Sequence, residues 1–402
     1  MSEHYVLCNR IPIYRGVQGR LYCDQLWAKD LKYHMDYIRS FSLCCPVVEL
    51  KENENIVGVE DISDFPIENI YALRQDHGLL SVMCNLIPNI RVVIKASKFA
   101  DIMHSGGAGW AFPISFYLLL LRRFIKFKWV IVIESSFWML NSGEKITFRR
   151  FAEHHIYTIL LRQCIRHADA RIFTQTFYKN YFTSDNERVL IAPATWIEPE
   201  SILSLTALEQ KHIQIQNEPL NILFPSRMEE NKGIYVLFDA IRLLSLRLHL
   251  PVNIDFMGSG RLVEICKQFV DEDHGFVNVR YKEPVEYGEK FFKQIEKYGL
   301  AIICNLSEEQ PRIVFDMFSQ GIPVLASNTT GIADITKNEV NSVLFERGNA
   351  ADLMEKLVYL IENPIQLPLL ATEALKTVKD KTHRQMHRER EEFLQRIFHG
   401  DD

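Results

Sequence analysis

Arg227 and Lys232 stand between an apolar run, NILFPS from Asn221, and a helix-length stretch, IYVLFDAIRLL from Ile234. A loop at a strand's carboxyl end just before a helix gathers anions, because the helix's first amides lack partners and carry the positive end of its dipole. Two cations in such a loop suit a diphosphate; solvated surface charge is the other reading of the same pair. The next apolar run ends in Met257-Gly258-Ser259-Gly260. Gly258 and Gly260 could let the backbone approach a ligand closely, and a plain strand-to-helix turn explains them as well.

The most informative stretch is Asn305 to Gly331, NLSEEQPRIVFDMFSQGIPVLASNTTG. Pro311 opens a helix at its tolerated first turn and Gly321 closes it before the strand IPVLAS. Glu308 then lies in the loop ahead of the helix and Asp316 in its second turn, so both carboxylates can face a ligand at the helix start. Sugar and ribose hydroxyls are natural partners for them; solvated acids favoured by the helix dipole are the alternative. In the first half of the chain, KWVIVIE ends a strand at Glu134 and ADIMH ends one at His104. A lone Glu or His at a strand end is often structural.

The elements that must hold these residues alternate short apolar runs with amphipathic helix-length segments, the rhythm of βαβ units and parallel sheets. The first series has strands at Tyr5 to Cys8, Pro46 to Leu50, Asp101 to His104, Trp129 to Ile133, Ala170 to Thr174 and Val189 to Ala192. Helices such as Cys23 to Ser40 and Phe148 to Arg166 lie between them. A second series runs from NILFPS through VNIDFMG, FVNVRYK, LAIICNL and IPVLAS to NSVLFE. The expected division is an N-terminal domain over 1–196, a linker over 197–219 without a strand, and a second domain over 220–378. A charged helix over 379–402 is expected to pack back toward the first domain. Ligands of open parallel sheets gather at the strands' carboxyl ends, which for two such domains implies a cleft.

At 402 residues, the chain is too long for one ordinary core, which agrees with two α/β domains. A formal net charge of -5 argues against a general nucleic-acid binder, which needs a basic surface. The eight cysteines are scattered, with no metal-knuckle or redox spacing. The start, MSEHYVLCNRIPIYRG, carries no secretory signal, so the cytoplasm is the expected compartment. One segment, AFPISFYLLLLRRFIKFKWV from Ala111 to Val130, joins apolar residues to Arg122, Arg123, Lys126 and Lys128. It is too short and charged to span a bilayer. It reads either as an interfacial helix at the inner face of an anionic membrane or as a buried domain helix with a cationic end.

Taken in order, Arg, four residues, Lys-Gly, then Gly-x-Gly, then Glu, seven residues and an acid, then Gly-x-Pro-Val, resembles the donor domain of glycosyltransferase family 4, over Asn221 to about Asn363. More faintly, Arg15-Gly16-Val17-Gln18-Gly19 looks like that family's glycine loop after the first strand. The resemblance implies a GT-B fold: two Rossmann-like, doubly wound parallel-sheet domains facing a central cleft. It implies transfer of a hexosyl unit from an NDP-sugar, UDP- or GDP-linked, to an acceptor hydroxyl with retention. The expected setting is surface polysaccharide or glycolipid assembly, with a sugar or lipid-linked saccharide as acceptor. Arg227 and Lys232 would hold the donor diphosphate, Glu308 the donor sugar and Asp316 the ribose. Gly16 and Gly19 would approach the phosphates, with Gly258, Gly260, Lys282, Glu283, Pro311, Arg312, Ile313 and Val314 also on the donor side. Backbone near Lys282 to Pro284 would read the base. No metal and no cofactor beyond the donor is expected, the two cations standing in for Mg²⁺. The sequence departs from the family at Asp316, usually Glu, and at Glu134, where relatives carry a His; His104 is the alternative on the acceptor side. An NDP-sugar epimerase or phosphorylase of the same fold, or an inactive nucleotide-binding partner subunit, are the rival readings.

Overall fold

The computed structural model describes residues 1, 3–51, 58–107, 109, 112–140, 146–185, 187–215 and 218–400. It contains two compact units, Met1–Ala194 with the tail from Met386, and Thr195–Gln385. The chain therefore passes between units at Ala194, and again just inside its last helix.

The first unit opens with β1 (His4–Cys8), β2 (Ile13–Arg15), β3 (Leu21–Asp24), α1 (Gln25–Tyr37), β4 (Ser40–Glu49), β5 (Val59–Asp61) and β6 (Ile67–Leu73). It continues through α2 (Leu79–Phe99), β7 (Ile102–Gly106), α3 (Ile114–Leu121), β8 (Lys128–Ile133), α4 (Phe148–His167), β9 (Ala170–Phe173), α5 (Thr176–Phe182) and β10 (Val189–Ile191). The main sheet runs β10-β9-β8-β7-β1-β4, with β6 also on β4, all parallel. Local chemistry sets the elements: the Asp24 carboxylate accepts from the amides of Leu26 and Trp27 and so starts α1.

The second unit holds α6 (Leu205–Ile215), β11 (Leu220–Pro225), α7 (Ile234–Ser245), β12 (Val252–Met257), α8 (Val263–Val270), β13 (Val277–Lys282), α9 (Glu289–Ile295), β14 (Leu300–Ile303) and α10 (Ile313–Ser319). After these come β15 (Val324–Ser327), α11 (Thr330–Ala333), β16 (Ser342–Phe345), α12 (Ala350–Glu362) and α13 (Gln366–Val378). Its sheet has the order β13-β12-β11-β14-β15-β16, parallel throughout. That is the doubly wound order, and its direction reverses between β11 and β14, where such sheets bind ligands. The final helix, α14 (His383–His399), returns to the first unit, where Met386, Phe393 and Leu394 join the core beside α1. His387 Nε2 meets Asp30 Oδ1 at 3.0 Å there.

Three expectations change, and one left open between two readings is resolved. The range 197–219 is not a bare linker: it carries α6, with Leu208 buried against Ala371 and Leu375, while 216 and 217 lie outside the described residues. β4 begins at Ser40 rather than Pro46, because Phe41 to Cys45 are apolar or small and fill both faces of a covered sheet. Gly16 and Gly19 follow β2, not the first strand, and turn the chain into antiparallel β3, the Gly16 amide donating to the Arg20 carbonyl at 2.8 Å. The apolar and basic segment from Ala111, itself outside the described residues, contains α3, which is buried: Ile114, Phe116, Tyr117, Leu118 and Leu121 are core. Arg122 is held by Asp169 at 2.7 Å and Lys128 by Glu3 at 3.2 Å. Its helix is thus a domain helix. No helix among the described residues is long and apolar enough to cross a membrane.

Candidate functional site

Two loops flank the point where the second unit's sheet reverses, one after β11 and one after β14. The first carries Arg227 and Lys232. Gly233 ends it in the left-handed region, at φ 72°, and caps α7. The second leaves β14 through Cys304 and Asn305, and the Leu306 amide donates to the Asn231 carbonyl at 2.9 Å, so the two loops are pinned together.

Lys232 is half-buried, and among the described residues its ammonium has no hydrogen bond or ion pair. Burial holds its pKa below the ordinary lysine value; Arg227 and Arg312 push the same way, while Glu309 and Glu229 oppose. A cation in that state is stabilised by an incoming anion. Arg227 is exposed and lies 3.6 Å from Glu229. Arg312, ahead of α10, stacks over Trp196 with its guanidinium carbon 5.4 Å from the ring centre. Lys282 ends β13 and Glu283 follows it, 3.9 Å from Lys267.

Gly258 and Gly260 serve packing. A Cβ on Gly258 would lie 2.0 Å from the Ser226 carbonyl oxygen, and one on Gly260 would lie 2.5 Å from that of Met228. The Met228 amide donates to Ser259 at 2.9 Å across the same contact. Their absent side chains let the loop after β12 lie backbone to backbone on the Arg227 loop, which fixes where Arg227 starts.

The helix expected from Pro311 begins at Ile313, and Asp316 falls in its first turn rather than its second. Pro311 and Val314 are buried and Ile313 is partly buried. Glu308 and Asp316 are bound by different side chains. One Glu308 oxygen accepts from the Thr330 amide at 2.8 Å and its hydroxyl at 2.9 Å, and the other is bound by Arg347. Asp316, 5% exposed, accepts from the Tyr287 hydroxyl at 2.6 Å. Burial, reinforced by Asp316, keeps that phenol protonated far above its usual range.

In the first unit Glu134 follows β8 and is exposed. His104 is a correction: it lies within β7, buried, its Nδ1 2.7 Å from the Tyr5 hydroxyl. Burial, aided by His34 and Arg390, lowers its pKa well below the ordinary value. The imidazole packs among Tyr5 and His34 in the core rather than standing at the strand's end.

Sequence reasoning missed Arg347, Thr330, Tyr287 and Trp196. Arg347 could have been found, since it follows β16 as Arg227 follows β11, a cation just past a strand's carboxyl end.

Residues 219–363 match the model of the family described as glycosyl transferases group 1. An uncharacterized glycosyltransferase of Methanocaldococcus jannaschii is 26% identical over 145 residues, which span 35% of this chain and 38% of that protein. Among solved structures, sucrose-phosphate synthase from Thermosynechococcus elongatus superposes with a TM-score of 0.72 at 12% identity, covering 99% of this chain and 100% of that one. HepE of Anabaena, solved in complex with UDP, gives 0.66 at 12% identity, covering 97% and 99%. At such identities the likeness is one of fold, two parallel-sheet α/β domains of the GT-B type. Residues 219–363 thus resemble a glycosyl transferases group 1 domain, and the chain as a whole shares the GT-B type of fold.

Proposed function

We propose that this protein transfers a hexosyl unit from a nucleoside diphosphate sugar to an acceptor hydroxyl, with retention at the anomeric carbon. The observation that carries the reading is Lys232: a half-buried ammonium without a hydrogen bond or ion pair among the described residues, at the reversal point of the β11–β14 sheet. An anion is what such a group lacks, and the diphosphate of a donor supplies it. Arg227 and Lys232 hold that diphosphate and balance the charge that grows on it as the glycosidic bond breaks, in the place a metal ion would otherwise take. Arg312, standing on Trp196, adds a third cation. Glu308, fixed by Arg347 and Thr330, contacts the sugar. The Asp316–Tyr287 pair faces the ribose, while Glu134 lies on the acceptor's side. The likeness to HepE, whose structures hold UDP and UDP-glucose, supports a uridine donor.

The test is calorimetric titration with UDP and GDP, followed by incubation with the matching labelled NDP-sugars without acceptor. Slow release of the sugar with its anomeric configuration kept is expected. Appearance of an epimer, or no binding of either nucleotide, would overturn the assignment.

A further inference from the structure

Three crossover helices of the first unit, α2, α3 and α4, cover one face of its sheet, α3 packing against both neighbours. The outward faces of the two long ones repeat one pattern. On α2, Leu80, Met83 and Ile87 are 81%, 74% and 61% exposed, and they give way along the same face to exposed Arg91, Lys95 and Lys98. On α4, Phe148, Phe151 and Ile159 are 87%, 48% and 59% exposed, and Arg162 and Arg166 follow on that face. Spacings of three, four and, once on α4, eight residues keep each series on one side of its helix. Both helices lead into strands of one parallel sheet, so they run the same way. Their exposed apolar series therefore begin at one end of the layer and their cationic series lie toward the other, where Arg123 and Lys126, just past α3, are also exposed; Arg149 stands among the first group and Phe99 and Phe124 among the second.

The charge on these helices is nearly all of one sign. α2 carries no acid, and α4 carries only Glu153, which is paired with Arg150 at 3.3 Å. This occurs in a chain whose formal net charge is -5. Large side chains left in water beside a one-signed band match a surface that is apolar within and anionic at its rim.

We infer that the outer face of α2 and α4 docks on an anionic phospholipid bilayer. Leu80, Met83, Ile87 and Phe148 enter the interface, and Arg91, Lys95, Arg162 and Arg166 meet the headgroups. None of these residues belongs to the donor site.

Sedimentation with phosphatidylglycerol-containing vesicles, with phosphatidylcholine vesicles and without vesicles tests this on the full chain. Wild type should pellet with the anionic vesicles alone. R91Q/K95Q/R162Q/R166Q should weaken partition by more than about tenfold. L80S/M83S/F148S should also release the protein, with thermal midpoints of both variants unchanged because the positions are exposed. Binding to soluble heparin provides the contrasting arm. Wild type that stays in the supernatant, or an apolar variant that keeps full vesicle binding while only the charge variant loses vesicles and heparin alike, would overturn the proposal.

Discussion

The carbonyl oxygen of Cys304 lies 2.1 Å from the point that a Cβ on Gly233 would occupy. The loop that carries Lys232 is therefore seated directly on the end of β14, and its last residue must lack a side chain for two reasons, contact and a left-handed backbone. Gly233→Ala should cost about 1–2 kcal/mol from the backbone alone, and more from displacing Cys304. Chemical denaturation would measure that loss. Nucleotide titration should show affinity falling with it, because Lys232 moves with the loop. Unchanged affinity would mean that Lys232 does not touch the ligand.

Lys232→Ala separates binding from folding. The ammonium has no hydrogen bond or ion pair among the described residues, so its removal breaks none and the thermal midpoint should not fall. Turnover should fall roughly 10²–10³-fold, as when one preorganised partner of a developing charge is lost. Since burial already lowers this lysine's pKa, donor affinity should decline at a less alkaline pH than an ordinary lysine would dictate. A pH series of nucleotide affinities would show it. A large drop in the midpoint with intact turnover would make Lys232 a structural residue.

Glu308 is held from two sides, by Thr330 and by Arg347, 39 residues further along. If its task is the sugar, Glu308→Gln should reduce turnover while leaving affinity for the sugarless nucleotide within about twofold. Arg347→Ala should reproduce part of that defect by freeing the carboxylate to turn. Equal loss of free-nucleotide affinity in both variants would place Glu308 with the diphosphate instead.

The donor loops were legible because strand ends in parallel sheets announce themselves: an apolar run, then a charged or glycine-bearing turn, then a helix. Arg227, Lys232 and Glu308 all follow that pattern, and all stand at the β11–β14 reversal. What the sequence withheld is what tertiary contact decides. His104 and Glu134 both lie near strand ends, yet one is core and the other exposed. In a sheet covered on both faces, alternation no longer distinguishes inside from outside. The apolar run of α3 carries the same ambiguity. Its hydrophobicity cannot say whether lipid or protein covers it, and neighbouring α2 and α4 turn out to do so, moving the exposed apolar surface onto themselves. The role of Gly258 and Gly260 was hidden for the same reason, since the carbonyls of Ser226 and Met228 that require them lie about 32 residues earlier.

Lys211 offers a pH test of the second unit that is independent of any substrate. It is buried on α6, and its ammonium donates to the carbonyl of Gln320, which ends the helix bearing Asp316, at 3.0 Å. Burial pushes its pKa down from 10.5 to about 7, against a smaller opposing pull from Glu296. Between those two values the unfolded chain keeps the proton and the folded chain gives it up. Stability should therefore rise with pH through that window, by at most about 1.4 kcal/mol per unit. A neutral amine still donates to Gln320, so the hydrogen bond survives the change. Lys211→Met should flatten the rise and stabilise the protein below neutrality, where the wild type must bury a charge. A residual slope from Lys232, lowered in the same sense, should remain and vanish in the double variant. Denaturant midpoints at pH 6 and pH 9 would measure this. A wild type that is more stable at the lower pH would show that Lys211 keeps its proton and finds its counter-charge on folding.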